Sequence, residues 1–222
     1  MTYANDRSTR AMRGFSFIEI LVVMGIIAVL AGLSTVVLQI WAKRKPEMAT
    51  QTRLTQLAAT VGVWQRKFER FPPSDMTRIQ RTAVGPKGIK KVPNGYNEGI
   101  EALFQALNWP TFAGSGVFNE NDLANIDEDE LEDAPTTWGT QLWEVVDGWG
   151  NPIIYFLHTD YSKALENPPA YLKADGEEVY PKPWKYELEG ATGFAQPNGF
   201  QVFSMGEDGI PNTEDDLKSW DL

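Results

Sequence analysis

Residues 13–42 read Arg13-Gly14-Phe15-Ser16-Phe17-Ile18-Glu19, followed by an apolar run through Ala42. One carboxylate, Glu19, interrupts a segment that is otherwise uncharged from Gly14 onward. The stretch from Phe15 to Trp41 is about 40 Å long as a helix at ~1.5 Å per residue. That exceeds the ~20 residues needed to cross a bilayer core. An ionisable side chain inside such a segment is costly, so Glu19 is a candidate functional residue that needs a partner.

The residues before it narrow the reading. Arg7, Arg10 and Arg13 fit the basic flank of a secretory signal. The apolar stretch is too long for a cleaved signal, and no A-x-A-like site follows it closely. Gly14 instead precedes the apolar run, so a cut there leaves the hydrophobic segment on the mature chain. A short basic leader, Gly14, the aromatic Phe15, and Glu19 fifth after the cut closely resemble a prepilin-type signal. The resemblance implies cleavage between Gly14 and Phe15 by a prepilin peptidase, and N-methylation of Phe15. The competing reading is a plain membrane anchor with a stray glutamate.

The chemistry of the motif can be argued from the residues. Cleavage creates an α-amine on Phe15, and a carboxylate in hydrocarbon needs a charged or hydrogen-bonding partner. Glu19 of one subunit can pair with the Phe15 amine of the next. A head-to-tail contact of this kind does not close on itself and generates a helical filament. Gly25 and Gly32, with Ala28, Ala31 and Ser34, permit close helix approach. Small residues are also common in any membrane helix.

Composition bounds the remainder. The chain has 222 residues, no cysteine and a net charge of −10. That length is one domain plus an anchor, and without cysteine there is neither a disulfide framework nor thiol catalysis. The leader's three arginines and Asp6 contribute +2, so the rest carries about −12. Such a chain lacks the basic face that nucleic-acid binding requires. The leader arginines favour a cytoplasmic N-terminus, although Lys43, Arg44 and Lys45 partly offset them.

Beyond the apolar run, Leu54, Leu57, Ala58, Val61, Trp64, Phe68 and Phe71 recur at helical spacing. They predict an amphipathic helix with one apolar stripe, stopped by Pro72-Pro73. Pro46 is expected to kink or locally unwind the rod. Residues 74–95 read as a loop. Asn97 is placed to cap a short helix carrying Ile100, Leu103, Phe104 and Leu107. Residues 111–140 form a polar insertion whose acidic side chains, between Glu120 and Asp133, read as a solvated, self-repelling run. A second cation site there is the minority reading.

Strand signals follow at Ile153–Leu157, Trp184–Leu188 and Gly199–Ser204, separated by turn residues such as Asp147-Gly148 and Gln196-Pro197-Asn198-Gly199. A long helix followed by sequential strands predicts an α+β fold with an antiparallel sheet wrapped on the helix. The segment Ser204-Met205-Gly206-Glu207-Asp208-Gly209, continuing to Asp215-Asp216-Leu217, places acidic side chains around a turn. Ca²⁺ takes six to eight such oxygens in a flexible loop. Spacing alone leaves a calcium loop and an exposed acidic tail equally open.

Catalytic patterns are absent. There is no G-x-S-x-G and no P-loop. His158 is the only histidine, and at a strand end it reads as structural. Glu144 with Asp147 is a carboxylate pair of the kind chance supplies. Trp138, Trp143, Trp149 and Trp184 read as core packing rather than a sugar-stacking face.

The chain resembles the major pseudopilins of type II secretion systems. The matching stretches are Phe15 to Leu33, the Phe71-Pro72 helix end, Asn97 to Leu103, Asp147-Gly148-Trp149-Gly150-Asn151-Pro152, and Phe203 to Gly209 with Asp216-Leu217 and Trp220. The resemblance implies a calcium site in the C-terminal loop, with Asp208 and Asp216 as side-chain ligands, Met205 as a carbonyl donor and Asp215 as a further ligand. The spacer Ile210 to Glu214 is shorter than in that family, and the 111–146 and 160–198 regions are longer.

The expected organisation is a leader at 1–14, a transmembrane and filament-core helix at 15–42, an amphipathic helix at 43–73, and a periplasmic α+β domain at 74–222. The expected role is a structural, non-enzymatic subunit of a pseudopilus, single-pass in the inner membrane. Its expected partners are prepilin peptidase, membrane lipid, further copies of itself, minor pseudopilins and an inner-membrane secretion platform. A type IV pilus subunit or minor pilin-like protein is the alternative.

Overall fold

One helix, α1, runs from Phe17 to Phe68. The structure, a computed structural model, describes residues 16–78, 94–109, 112, 118–130, 138–188 and 191–222, with the side chains of 32–43, 187–188 and 191–192 left aside. Gly14, Phe15 and the basic loop at 79–93 therefore lie outside the described residues, as do parts of the 111–140 insertion. The chain divides into two units, Met1–Lys43 and Arg44–Leu222.

In the first unit, the described part of α1 presents apolar side chains on every face. Phe17, Ile18, Leu21, Met24, Ile27 and Leu30 are all exposed. Among the described residues, no helix is long and apolar enough to cross a membrane. The described apolar side chains stop at Ala31.

In the second unit, α1 is amphipathic as its spacing predicts. Leu54, Leu57, Val61 and Trp64 are buried in one core cluster, while Gln65, Arg66 and Lys67 face solvent. Two features of this helix narrow what its sequence suggests. It continues through Pro46 without unwinding, and the Thr50 hydroxyl donates to the Pro46 carbonyl at 2.8 Å. It also ends at Phe68, before Pro72-Pro73, because Glu69 takes a left-handed conformation with φ 55°. A left-handed residue stops the i→i−4 ladder without needing a proline.

Helix α2, Glu98–Leu107, is buried along nearly its whole length. Ile100, Leu103 and Phe104 join the stripe of α1 in the core. Asn97 occupies its N-cap position but does not cap with its side chain. Its φ is 51°, and its carbonyl accepts the N–H groups of Ile100 and Glu101. The freed amide instead bonds elsewhere in the domain. A short helix α3, Tyr161–Glu166, follows later.

The strands pair antiparallel, as expected, but not in one sheet. Among the described residues they form four small sheets. Strands β1, Leu123–Ala124, and β2, Glu144–Val145, make the first. Strand β3, Ile154–Leu157, pairs with β8, Phe200–Ser204, which also pairs with β9, Leu217–Lys218. The pairs β4, Tyr171–Leu172, with β5, Glu178–Val179, and β6, Lys185–Leu188, with β7, Ala191–Phe194, complete the set. Every residue of β3 is buried, which accounts for its continuous apolar run. The register sets Ile154 opposite Phe203 and Tyr155 opposite Val202. Burial of each such side chain contributes roughly 1.5–3 kcal/mol.

His158 is structural in its contacts. Its Nδ1 lies 2.9 Å from the Gly199 carbonyl, and its ring meets Phe71 edge-on. Trp138, Trp143 and Trp184 pack against the core.

Candidate functional site

The N-terminal motif is preserved from Ser16 onward. Glu19 Oε2 accepts the Ser16 N–H at 2.8 Å, and Ser16 Oγ accepts the Ile18 N–H at 3.2 Å. Ser16 is the N-cap and Glu19 the third helical residue: the Ser16 hydroxyl caps the second helical N–H, and the Glu19 carboxylate reaches back to the N-cap N–H as in a capping box. Sequence reasoning assigned Glu19 to a neighbouring subunit's amine and missed this local partner. The signal was present as Ser16-Phe17-Ile18-Glu19, an S-x-x-E pattern before an apolar run. The cap satisfies the carboxylate within the isolated chain. It also aims the carboxylate back toward the end of the helix that Phe15 precedes.

The Asp147-Gly148-Trp149-Gly150-Asn151-Pro152 segment joins α1 to the C-terminal strands. Asp147 Oδ1 accepts the N–H groups of Trp149 and Asn151, both at 2.9 Å, and Oδ2 accepts the Ser204 hydroxyl at 2.6 Å. Burial pushes the Asp147 carboxyl up, opposed by these hydrogen bonds. Gly148 donates its N–H to Thr50 Oγ1 at 2.8 Å. A Cβ at Gly148 would collide with the backbone of Pro46, so glycine is needed here for close approach rather than for a special dihedral angle. Arg53 completes the joint. Its Nη1 donates to the carbonyls of Val146 and Asp147, at 2.8 and 2.7 Å, and its Nε and Nη2 hold Asp122 Oδ1 at 2.8 and 2.7 Å. Neither Thr50 nor Arg53 was singled out from the sequence, because an isolated Thr or Arg on a helix carries no pattern.

The Ser204 end of this joint leads into the acidic loop. Met205 is fully buried, and Asp216 is nearly so. Gly206 has φ +66°, and a Cβ there would collide with Asp215. The loop is tied by its own carboxylates. Ile210 donates to Asp208 Oδ1 at 2.7 Å, Asp208 to Asp215 Oδ2 at 3.1 Å, and Asn212 to Asp216 Oδ2 at 2.9 Å. Burial raises the Asp216 carboxyl to about 7, against the N–H groups of Asn212 and Thr213. At Asp215 burial also acts upward, but bonds from Thr213 and from the Asp208 N–H outweigh it and leave that group low.

The structure thus brings Asp208, Asp215 and Asp216 around one point, the Thr213 hydroxyl. Their nearest oxygens lie 3.5, 2.7 and 3.4 Å from Thr213 Oγ1. The same hydroxyl also approaches the Ile210 carbonyl at 3.0 Å, and it has one proton to donate, so at least two of the three carboxylates approach it without receiving that proton. An all-oxygen donor set in a turn suits a hard cation such as Ca²⁺. The fit is open rather than closed: these three carboxylates do not meet within 4.8 Å of one another, a condition that a different set of acids does meet.

Residues 9–35 match the family described as the prokaryotic N-terminal methylation motif. The motif supports a type IV pilin-like protein, processed by a prepilin peptidase and assembled into filaments. No curated protein and no solved structure matches the chain.

Proposed function

We propose that the protein is a structural subunit of a type II secretion pseudopilus. The observation that carries this reading is the N-terminal motif at 9–35, with the apolar side chains of α1 from Phe17 to Leu30 exposed. In the proposed cycle, the apolar segment holds the precursor as a single pass in the inner membrane, with the soluble unit in the periplasm. Cleavage after Gly14 frees the Phe15 amine, which becomes methylated. Glu19 then exchanges its bond to Ser16 for the amine of an adjacent subunit, and this exchange sets register in the filament. Polymer growth on the inner-membrane platform, with minor pseudopilins, drives folded cargo outward. The role is mechanical and involves no catalytic set.

Calcium belongs to the same proposal. Asp208, Asp215 and Asp216 would hold it, with Met205 contributing its carbonyl, and the ion would supply charge neutralisation for the loop. The chain's own part is the joint already described: Asp147 and Ser204 tie the loop to α1 through Gly148 and Thr50. A loop anchored in this way can make lateral contacts of defined shape.

A type IV pilus subunit is the second reading, since the N-terminal motif is common to both. The chain's lack of cysteine favours the pseudopilus, because many such pilins close their C-terminal loop with a disulfide. The test is mass spectrometry and filament assembly in cells with an intact prepilin peptidase. The expected mature protein starts at N-methylated Phe15, and Gly14→Ala leaves the full-length precursor. Glu19→Gln is cleaved normally but assembles at least tenfold less. A mature chain beginning at Met1, or full assembly of Glu19→Gln, refutes the reading.

A further inference from the structure

The second unit contains a group of acids that the C-terminal loop does not explain. Glu101 lies on α2, Glu144 on β2, and Asp127 in the turn after β1. One carboxylate oxygen from each lies within 4.8 Å of the others. Glu101 and Glu144 have no exposed surface.

The decisive member is Glu101. It is fully buried, and neither of its carboxylate oxygens has a hydrogen-bond partner. The charges acting most strongly on it are Asp129, Asp127, Glu144 and Glu98, all carboxylates. A buried charge without a partner costs several kcal/mol. Glu144 is held differently. It accepts Asn97 Nδ2 at 3.1 Å and the Ile126 N–H at 3.1–3.2 Å. Asn97 is itself locked by the Leu172 N–H at 3.0 Å. The amide that fails to cap α2 is thus used to orient Glu144 beside Glu101. Asn125 pins the turn, accepting the Asp129 N–H at 3.2 Å and donating to the Asp129 carbonyl at 2.9 Å.

We propose that Glu101, Asp127 and Glu144 form a structural binding site for a hard divalent cation, Ca²⁺ in the first instance. The donors are all oxygen, which excludes the softer metals that select histidine or thiolate. Oxygens on opposite sides of one Ca²⁺ are about 5 Å apart at ~2.3–2.6 Å per bond, so the observed grouping is compatible with one ion. A shared proton is the competing answer: a protonated carboxyl needs an acceptor for its O–H, and the grouped Asp127 and Glu144 oxygens are the candidates, so the test below separates dependence on pH from dependence on a cation. In the absence of an ion, burial pushes the Glu101 carboxyl well up, Asp129 to about 7 and Glu144 to about 8. A cation would release that penalty and staple α2, β2 and the acidic turn together. This site is independent of the filament reading and of the C-terminal loop.

The test uses the full chain in detergent, stripped with chelator and titrated with CaCl₂ and, separately, MgCl₂ by calorimetry. An Asp208→Asn/Asp216→Asn background removes the C-terminal loop from the measurement. That background is expected to bind one Ca²⁺ per chain and to melt at higher temperature in calcium. Adding Glu101→Gln should weaken binding at least tenfold and abolish the melting shift. In chelator this variant should melt within a few degrees of its parent, because a neutral amide replaces a carboxyl that burial biases toward its neutral form; that measurement shows it folded. Binding of Mg²⁺ with the same dependence on Glu101 also supports the site. The site is overturned if the background binds neither ion, if Glu101→Gln binds Ca²⁺ as tightly as its parent, or if stability depends on pH but not on either cation. A fall from two Ca²⁺ per chain in the wild type to one in Asp208→Asn/Asp216→Asn supports the site and assigns the lost ion to the C-terminal loop.

Discussion

Helix α1 contains two stretches of similar local character and opposite circumstances. From Phe17 to Leu30 its apolar side chains point in every direction and stay exposed, with Phe17 80% accessible. From Leu54 to Trp64 they form a single stripe, and Leu54, Leu57 and Val61 have no exposed surface at all. Helix formation does not distinguish the two. The arrangement of apolar residues does: a stripe can be satisfied by one partner inside the chain, and a helix that is apolar all round cannot. The second stretch finds α2, β3 and β8. On the proposed reading the first finds lipid, and then other subunits. One helix thus separates folding from assembly along its length.

That separation can be broken by mutation. The largest expected effect is Leu57→Ala, which deletes a buried side chain and should cost the second unit about 2–5 kcal/mol in urea unfolding while leaving the proposed cleavage after Gly14 intact. Loss of cleavage in that variant would show that the two stretches are not independent. Thr50→Val should cost roughly 1–3 kcal/mol, because the Gly148 N–H loses its acceptor at a close joint. A stability change near zero would mean that water replaces the hydroxyl.

Protonation sharpens the contrast further, since Glu101, Asp129 and Glu144 all belong to the second unit. Their folded-state values lie above the ordinary carboxylate range, chiefly through burial. Stability from a raised carboxylate is present at low pH and is lost as pH rises through the folded value. In chelator, the melting temperature should therefore fall by a few degrees as pH rises from about 4.5 past about 8, and calcium should suppress the fall. A melting temperature that rises across this range in chelator would contradict the burial of these groups.

The smallest expected effect is Leu21→Ala. It should change unfolding of the second unit by no more than about 0.5 kcal/mol, as for an exposed site, yet reduce filament yield. An equal loss in both measurements would place Leu21 in the fold and not in an assembly surface.

Much of this was readable from local pattern. The helical spacing of Leu54, Leu57, Val61 and Trp64 identified the buried stripe, and Ile153–Leu157 and Gly199–Ser204 identified the paired core strands to within a residue. The acidic run was read as solvated, which holds for Glu120, Glu128 and Glu130 but not for Asp127 and Asp129, whose carboxylate oxygens are enclosed. Charge runs usually are, and nothing in the run itself records that α2 and β2 cover it. Asn97 was read as a cap because Asn favours that position. Its φ of 51° and its bonds to Glu144 and Leu172 depend on where β2 and β4 lie. The Ser16-Glu19 cap was legible and overlooked, since a carboxylate in an apolar segment suggests a distant partner before a near one.

The sequence by itself determined the features set by neighbours within a few positions: the Gly14-Phe15-Glu19 motif, the apolar run, the amphipathic stripe, and the turns at Asp147-Gly148 and Gly206. Only the tertiary structure decided that Arg53 and Thr50 clamp the 147–151 turn, that the strands divide into four sheets, and that Glu101, Asp127 and Glu144 share one buried space. Dihedral preference and periodicity act over a turn or two of chain. Burial and charge proximity instead depend on which distant surfaces pack together, and no local pattern encodes that.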